Sequence, residues 1–270
     1  MSLAPWVLRP LIMLLALSLS SGLAGTLINL RRGEFATEAL SHAVFPGIVI
    51  GFIVAGLDGI IPGGAVAGAV AAAVLTLAGK RAGEADEAGT ALTLSTFYSV
   101  GVVVSLAYSD KSGQLEALMF GRLLELSTQR LVQGVVACLI AVVLIAAFWP
   151  AQVAISFDRN GARAAGVRPA FQDAVFNAAI AAAVVAGAAA VGVLLVVGFL
   201  IIPAAGARLL CNSPQSMALC AVGISVASAL VGMWVVTQPL SRPVSPQACV
   251  IVVLLGAFLL AAAFGAVKRS

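Results

Sequence analysis

Apolar runs of membrane-crossing length recur along this chain, and single charged residues fence them off. Arg9 to Arg31, Glu38 to Asp58, Asp58 to Lys80 and Glu87 to Asp110 each enclose one such run. Arg130 to Asp158, Arg208 to Arg242 and Arg242 to Lys268 enclose one apiece. A helix needs about 20 apolar residues to cross a hydrocarbon layer about 30 Å thick. The gap from Asp173 to Arg208 is the longest, and holds either one very long helix or two short ones hinged at Gly187 to Gly192. The pattern predicts an all-α, polytopic transmembrane bundle of about eight or nine spans, with residues 1–270 forming one membrane domain. Stretches such as Gly63-Gly64-Ala65-Val66-Ala67-Gly68-Ala69, and Ala178 to Ala190, are rich in the small residues that let membrane helices approach closely.

Composition removes the soluble alternative. The chain is 61% hydrophobic and 10% charged, with a mean hydropathy of +1.11, whereas a soluble domain is about a quarter charged. A net charge of +4 matters here by position. The bases sit in short loops beside apolar runs, which is a topology signal and not a nucleic-acid surface. With Arg31-Arg32 in the cytoplasm, Lys80-Arg81 and the loop from Asp158 to Arg168 also fall inside. Asp58 and the segment after Asp110 fall outside. Two crossings between Asp173 and Arg208 then bring Arg208 and Lys268-Arg269 inside too; one crossing strands the basic C-terminus outside. Two crossings are therefore expected, with the N-terminus outside and the C-terminus cytoplasmic.

Several segments are not simple spans. The first apolar stretch runs to Leu30, too long for a signal-peptide core, and is expected to be retained. Arg81 to Thr90 reads as a solvated acidic loop, and Thr237 to Gln247 as a proline-rich external one. Asp110 to Arg130 alternates charged residues with leucines, as in an amphipathic helix lying at the membrane surface or dipping back into it. The cysteines, at 138, 211, 220 and 249, are scattered and form no zinc or disulfide spacing.

Candidate chemistry gathers after Arg31-Arg32, in Glu34-Phe35-Ala36-Thr37-Glu38-Ala39-Leu40-Ser41-His42-Ala43-Val44-Phe45-Pro46-Gly47. Glu38 and His42 are four residues apart, so a helix puts them on one face. His42 is the only histidine and lies about 15 Å along a helix rising from Arg32. An acid and an imidazole at mid-membrane depth are costly, and such groups tend to coordinate or conduct something. Carboxylate and imidazole together suit zinc or manganese. Thr37 and Ser41 read as hydroxyls bonded to the local backbone. Thr93, Ser95, Thr96, Tyr98 and Ser99 form a second polar cluster that either lines a path or packs between helices. Phe157 to Val167 reads as one short helix, with Asp158 complementing its positive end and Gly166 stopping it; Ala162 is small enough for close approach.

Taken together, these motifs resemble the membrane permease subunit of metal-type ABC importers, the bacterial family that takes up zinc, manganese or iron. Glu38-Ala39-Leu40-Ser41-His42-Ala43 with Pro46-Gly47 is similar to that family's Asp-Ala-Leu-Ser-His-Ala-x-x-Pro-Gly signature. Met119-Phe120-Gly121-Arg122-Leu123-Leu124 resembles its Leu-Phe-Gly-Asn-Ile-Leu segment, and Leu200-Ile201-Ile202-Pro203-Ala204-Ala205-Gly206-Ala207-Arg208 its late motif. Glu38 departs from the usual aspartate, Arg122 from asparagine, and Val244-Ser245-Pro246 from Pro-Ser-Gly.

The resemblance implies that Glu38 and His42 form a transient metal site, and that Asp158, Ala162 and Gly166 belong to a cytoplasmic coupling helix docking on an ATPase. It implies a cytoplasmic ATP-binding subunit, a second permease copy, and an extracellular metal-binding lipoprotein or periplasmic binding protein as partners. Membrane lipid surrounds the assembly in the bacterial inner (plasma) membrane, and no nucleic acid is expected. No cofactor is expected to be bound permanently; a divalent zinc or manganese ion would be the cargo. The chain has no Gly-x-x-x-x-Gly-Lys-Ser/Thr run, so ATP hydrolysis would belong to a separate subunit. A secondary transporter without an ATPase, using Glu38 and His42 as a proton relay, is the competing reading.

Overall fold

The computed structural model describes residues 5–82, 87–108, 121, 123–238 and 245–269, and every regular element in them is helical. The first half comprises α1 (Pro5–Arg31), α2 (Glu34–Ala43), α3 (Phe45–Ala55), α4 (Ile60–Ala82), α5 (Glu87–Ala107) and α6 (Thr128–Ala147). The second comprises α7 (Trp149–Phe157), α8 (Arg159–Ala164), α9 (Pro169–Val191), α10 (Val193–Leu210), α11 (Pro214–Val236) and α12 (Pro246–Arg269). Seven helical stretches among the described residues are long and apolar enough to cross a membrane. One of these, Glu34–Gly79, doubles back through the 3₁₀ turn Gly56–Gly59, where Asp58 stands exposed.

The doubling back depends on glycine. A Cβ on Gly47 would collide with the Gly63 carbonyl oxygen, and one on Gly51 with that of Gly59. Gly47 and Gly51 thus let the α3 backbone touch α4 at Gly63 and the end of the preceding turn at Gly59. The long gap after Asp173 also resolves into two helices, broken at Gly192, whose φ of 93° suits glycine. Gly187 packs against Val196 across that break. Gly121, from the Met119-to-Leu124 motif, lies against Val191 and Gly192.

One expected span is interrupted, and three other expected segments are described only in part. The run from Arg130 to Asp158 is not one uninterrupted helix: α6 stops at Ala147, and α7 restarts with Pro150 in its first turn, where a missing N–H costs nothing. Most of the expected amphipathic helix from Asp110 to Arg130 lies outside the described residues. Its described end is a 3₁₀ turn, Leu123–Glu125, followed by the Ser127 cap of α6. The Glu84–Asp86 part of the acidic loop, and residues 239–244 of the proline-rich one, also lie outside them.

Helices α1 and α9 form the centre, each about two-thirds buried, while α5 is only 17% buried. Met13, Leu14, Leu17, Leu27, Ile28, Ile180 and Phe199 are fully enclosed. Val66, Leu92, Val103, Val143, Leu219 and Val252 point outward, as lipid contact requires. Basic residues collect at one end. Arg208 donates to the Asn29 carbonyl at 3.1 Å, Gly265 packs on Leu209, and Asn177 donates to Thr76 at 3.0 Å. These contacts bring the Arg31, Lys80, Arg168, Arg208 and Lys268 ends of their helices to the same face, opposite the start of α1.

Gly51→Val forces α3 off α4. The expected cost is about 3 kcal/mol, the upper part of the range for overpacking, read as a lower Tm in detergent; an unchanged Tm contradicts the backbone contact.

Candidate functional site

Helix α2 forms where Glu34 complements its positive end. Its inward face is Thr37, Ala39, Leu40, Ser41 and Ala43, all buried. Both hydroxyls return to the backbone, Thr37 to the Gly33 carbonyl and Ser41 to that of Thr37, each at 2.9 Å. The outward face carries Glu38, exposed, and His42, half-buried.

Helix α5 runs beside α2 in the same direction, with Tyr98 opposite His42 and Gly101 against Phe45. The His42 and Tyr98 rings meet edge to face, their centroids 5.4 Å apart at 83°. Tyr98 also lies 6.0 Å from the Phe45 ring, so the imidazole is held from one side and open on the other. Two residues past His42, α2 gives way to α3 at Val44. Pro46 has no N–H to offer the His42 carbonyl four residues back, and the helix restarts. Beyond it opens an apolar cavity of about 640 Å³ between α3, α4 and α5, bordered by Pro46, Ile50, Pro62, Thr96 and Val100. Thr93 is buried and spends its hydroxyl on the Gly89 carbonyl at 2.8 Å. The other members of its cluster (Ser95, Thr96, Tyr98 and Ser99) are exposed, Thr96 bordering the cavity and Tyr98 facing His42.

The arrangement supplies two strong metal ligands on one face. Among the described residues, no group of three or more His, Cys, Asp or Glu side chains converges. A tetrahedral zinc site takes four ligands, twice what Glu38 and His42 supply.

At the basic end, Asp158 caps α8 by accepting from the backbone N–H groups of Asn160 and Gly161, at 3.1 and 2.9 Å. Gly166, at φ 87°, ends it: its N–H bonds the Arg163 carbonyl, and that of Val167 bonds the Ala162 carbonyl, both at 3.0 Å. Ala162 is buried within the chain, so its small side chain seats α8 on its own bundle rather than facing outward. Sequence reasoning missed the polar cluster beneath α8, where Arg31, Gln152, Gln172 and Asp173 meet. A glutamine inside an apolar run, Gln152, was the available signal.

A family model described as the ABC 3 transport family matches residues 4–265. The manganese transport system membrane protein MntC of Listeria monocytogenes is 27% identical over 227 residues, covering 84% of this chain and 80% of that protein. The zinc transport system membrane protein TroC of Treponema pallidum is 29% identical over 216 residues, 77% of this chain and 72% of its own. The solved PsaBC from Streptococcus pneumoniae, in complex with Fab, shares the fold at a TM-score of 0.79 and 24% identity, over 96% of this chain and 91% of that one. With a family match running over nearly its whole length, this chain belongs to the ABC 3 transport family.

Proposed function

We propose that the chain is the permease subunit of a bacterial ATP-driven importer for a divalent transition metal, zinc or manganese, with iron as the third candidate. Two copies work together in the plasma membrane, an ATP-binding subunit docks on the basic, cytoplasmic face, and an extracellular binding protein delivers the ion. The crossings are α1, α2–α3, α4, α5, α6–α7, α9, α10, α11 and α12, which leaves the N-terminus outside. Relatives named for manganese and zinc transport support the cargo.

One observation carries the reading: Glu38 and His42 share the outward face of α2 as an incomplete ligand set. A two-fold axis doubles it to two carboxylates and two imidazoles. A site assembled from two halves holds its ion without trapping it, as transport demands. Helix α8 is the coupling helix, with Asp158 and Gly166 fixing its ends and Ala162 its seat.

Glu38→Gln and His42→Ala are each expected to lower metal uptake at least about tenfold, as loss of metal-site groups does, with normal expression; wild-type uptake by both sinks the site. Asp158→Arg removes the cap, costing α8 about 1 kcal/mol, and should leave ATP turning over while uptake falls. Undiminished uptake by that variant takes α8 out of the mechanism.

A further inference from the structure

Charge enclosed in a membrane bundle is costly unless it is answered by partners, and one carboxylate here answers two guanidiniums. Asp173, one turn into α9, accepts from Arg31 Nη1 at 3.3 Å. It also accepts from Arg159, Nη1 at 3.2 Å and Nη2 at 2.5 Å. Arg31 is the last residue of α1 and Arg159 the first of α8. The three side chains make an unbroken ionic path from the coupling helix to the end of α1.

Arg31 is gripped from other sides as well. Its Nε donates to the Ser156 hydroxyl at 3.3 Å, and its Nη2 to the Gln152 carbonyl at 3.4 Å and to the Gln152 side-chain oxygen. Its guanidinium lies 4.5 Å over the Phe176 ring. Gln152, fully buried, donates in turn to the carbonyl of Gln172 at 2.9 Å.

The short link between α1 and α2 gives this cluster its reach. Only Arg32, at φ 54°, and Gly33 separate the two helices. The Gly33 N–H bonds back to the Ile28 carbonyl at 2.8 Å, and the Gly33 carbonyl receives the Thr37 N–H at 2.9 Å. The link is therefore bonded on both sides, and a shift of Arg31 carries the start of α2 with it. From the start of α2 at Glu34, Glu38 and His42 lie about 6 and 12 Å further along.

We infer that Asp173 is the joint through which α8 sets the position of α2, so that Arg159 and Asp173 are positioning residues for the ion-handling step. The inference rests on the permease reading above. The two ends of the path differ as the role requires. The Arg31 side chain is 11% exposed and locked, whereas that of Arg159 is 38% exposed and ties a helix of only six residues to the bundle. Cutting the path at Arg159 leaves the Arg31–Asp173 pair whole, and with it the fold.

The test is uptake per ATP hydrolysed by the reconstituted permease–ATPase complex, with assembly followed by co-purification. Arg159→Gln is expected to assemble and hydrolyse ATP, while zinc or manganese uptake per ATP falls at least about fivefold, the lower end of coupling between linked sites. Arg159→Lys keeps the charge and should recover most of the loss; Asp173→Asn should share it. An unchanged ratio for Arg159→Gln overturns the inference. So does a fall in assembly alone, with a normal ratio in the complexes that form. Absence of ATP-driven uptake by the unaltered protein instead overturns the permease reading, which keeps the two failures apart.

Discussion

The chain places a guanidinium, that of Arg31, inside the end of its central bundle, and the surrounding helices are arranged to satisfy it. The Arg31 side chain is only 11% exposed, so its donors must find their acceptors in the protein. Arg31 draws on α7 through Gln152 and Ser156, and on α9 through Asp173 and the Phe176 ring. These contacts fix where α1 ends, hence where α2 begins. An aliphatic residue at position 31 would ask nothing of α7 or α9, and the turn into α2 would lose its bracing.

Against that fixed end, the remainder of the bundle is held by closeness rather than by polarity. Lipid tails are as apolar as leucine, so helices gain little from hiding apolar surface from lipid; what they gain is contact. Glycine pairs between α3 and α4 bring the backbones together. Gly25 similarly meets the Leu200 carbonyl oxygen, joining α1 to α10. The result is a firm hairpin of α3 and α4 beside a lightly packed α5. The cavity and the open face of α2 lie along that contrast.

Much of this was legible in the sequence. Fence-post charges marked the helices, Gly192 fell within the expected hinge, and Asp158 and Gly166 proved to be the two ends of α8. Periodicity failed where an element was too short to have one. Six residues do not show which side of α8 faces inward, so Ala162 read as available to a partner and is instead enclosed. Pro150 sat in a run so apolar that a helix restart looked like a continuous span. The Arg31–Asp173 pair joins positions 142 residues apart, and one sequence carries no sign of which distant charges will meet. Tyr98 was visible only as one of several polar residues, because its contact with His42 depends on α5 running beside α2.

The glutamate at position 38 fits the geometry around it. Its extra methylene lets the carboxylate reach further from the α2 backbone than aspartate would, and α2 is the element that α5 leaves uncovered on that side. His42, by contrast, is held against Tyr98 and has little freedom to follow an ion. In the proposed site, a longer carboxylate beside an imidazole braced by Tyr98 would divide the labour: the first would reach a hydrated cation, and the second would supply a fixed bond once water is shed. Hard, oxygen-preferring manganese would lean on the carboxylate and zinc on the imidazole. Relative uptake of the two metals by Glu38→Asp therefore reports on this division. Shortening the arm should lower manganese uptake more than zinc uptake, and equal losses would mean that reach is not what position 38 provides.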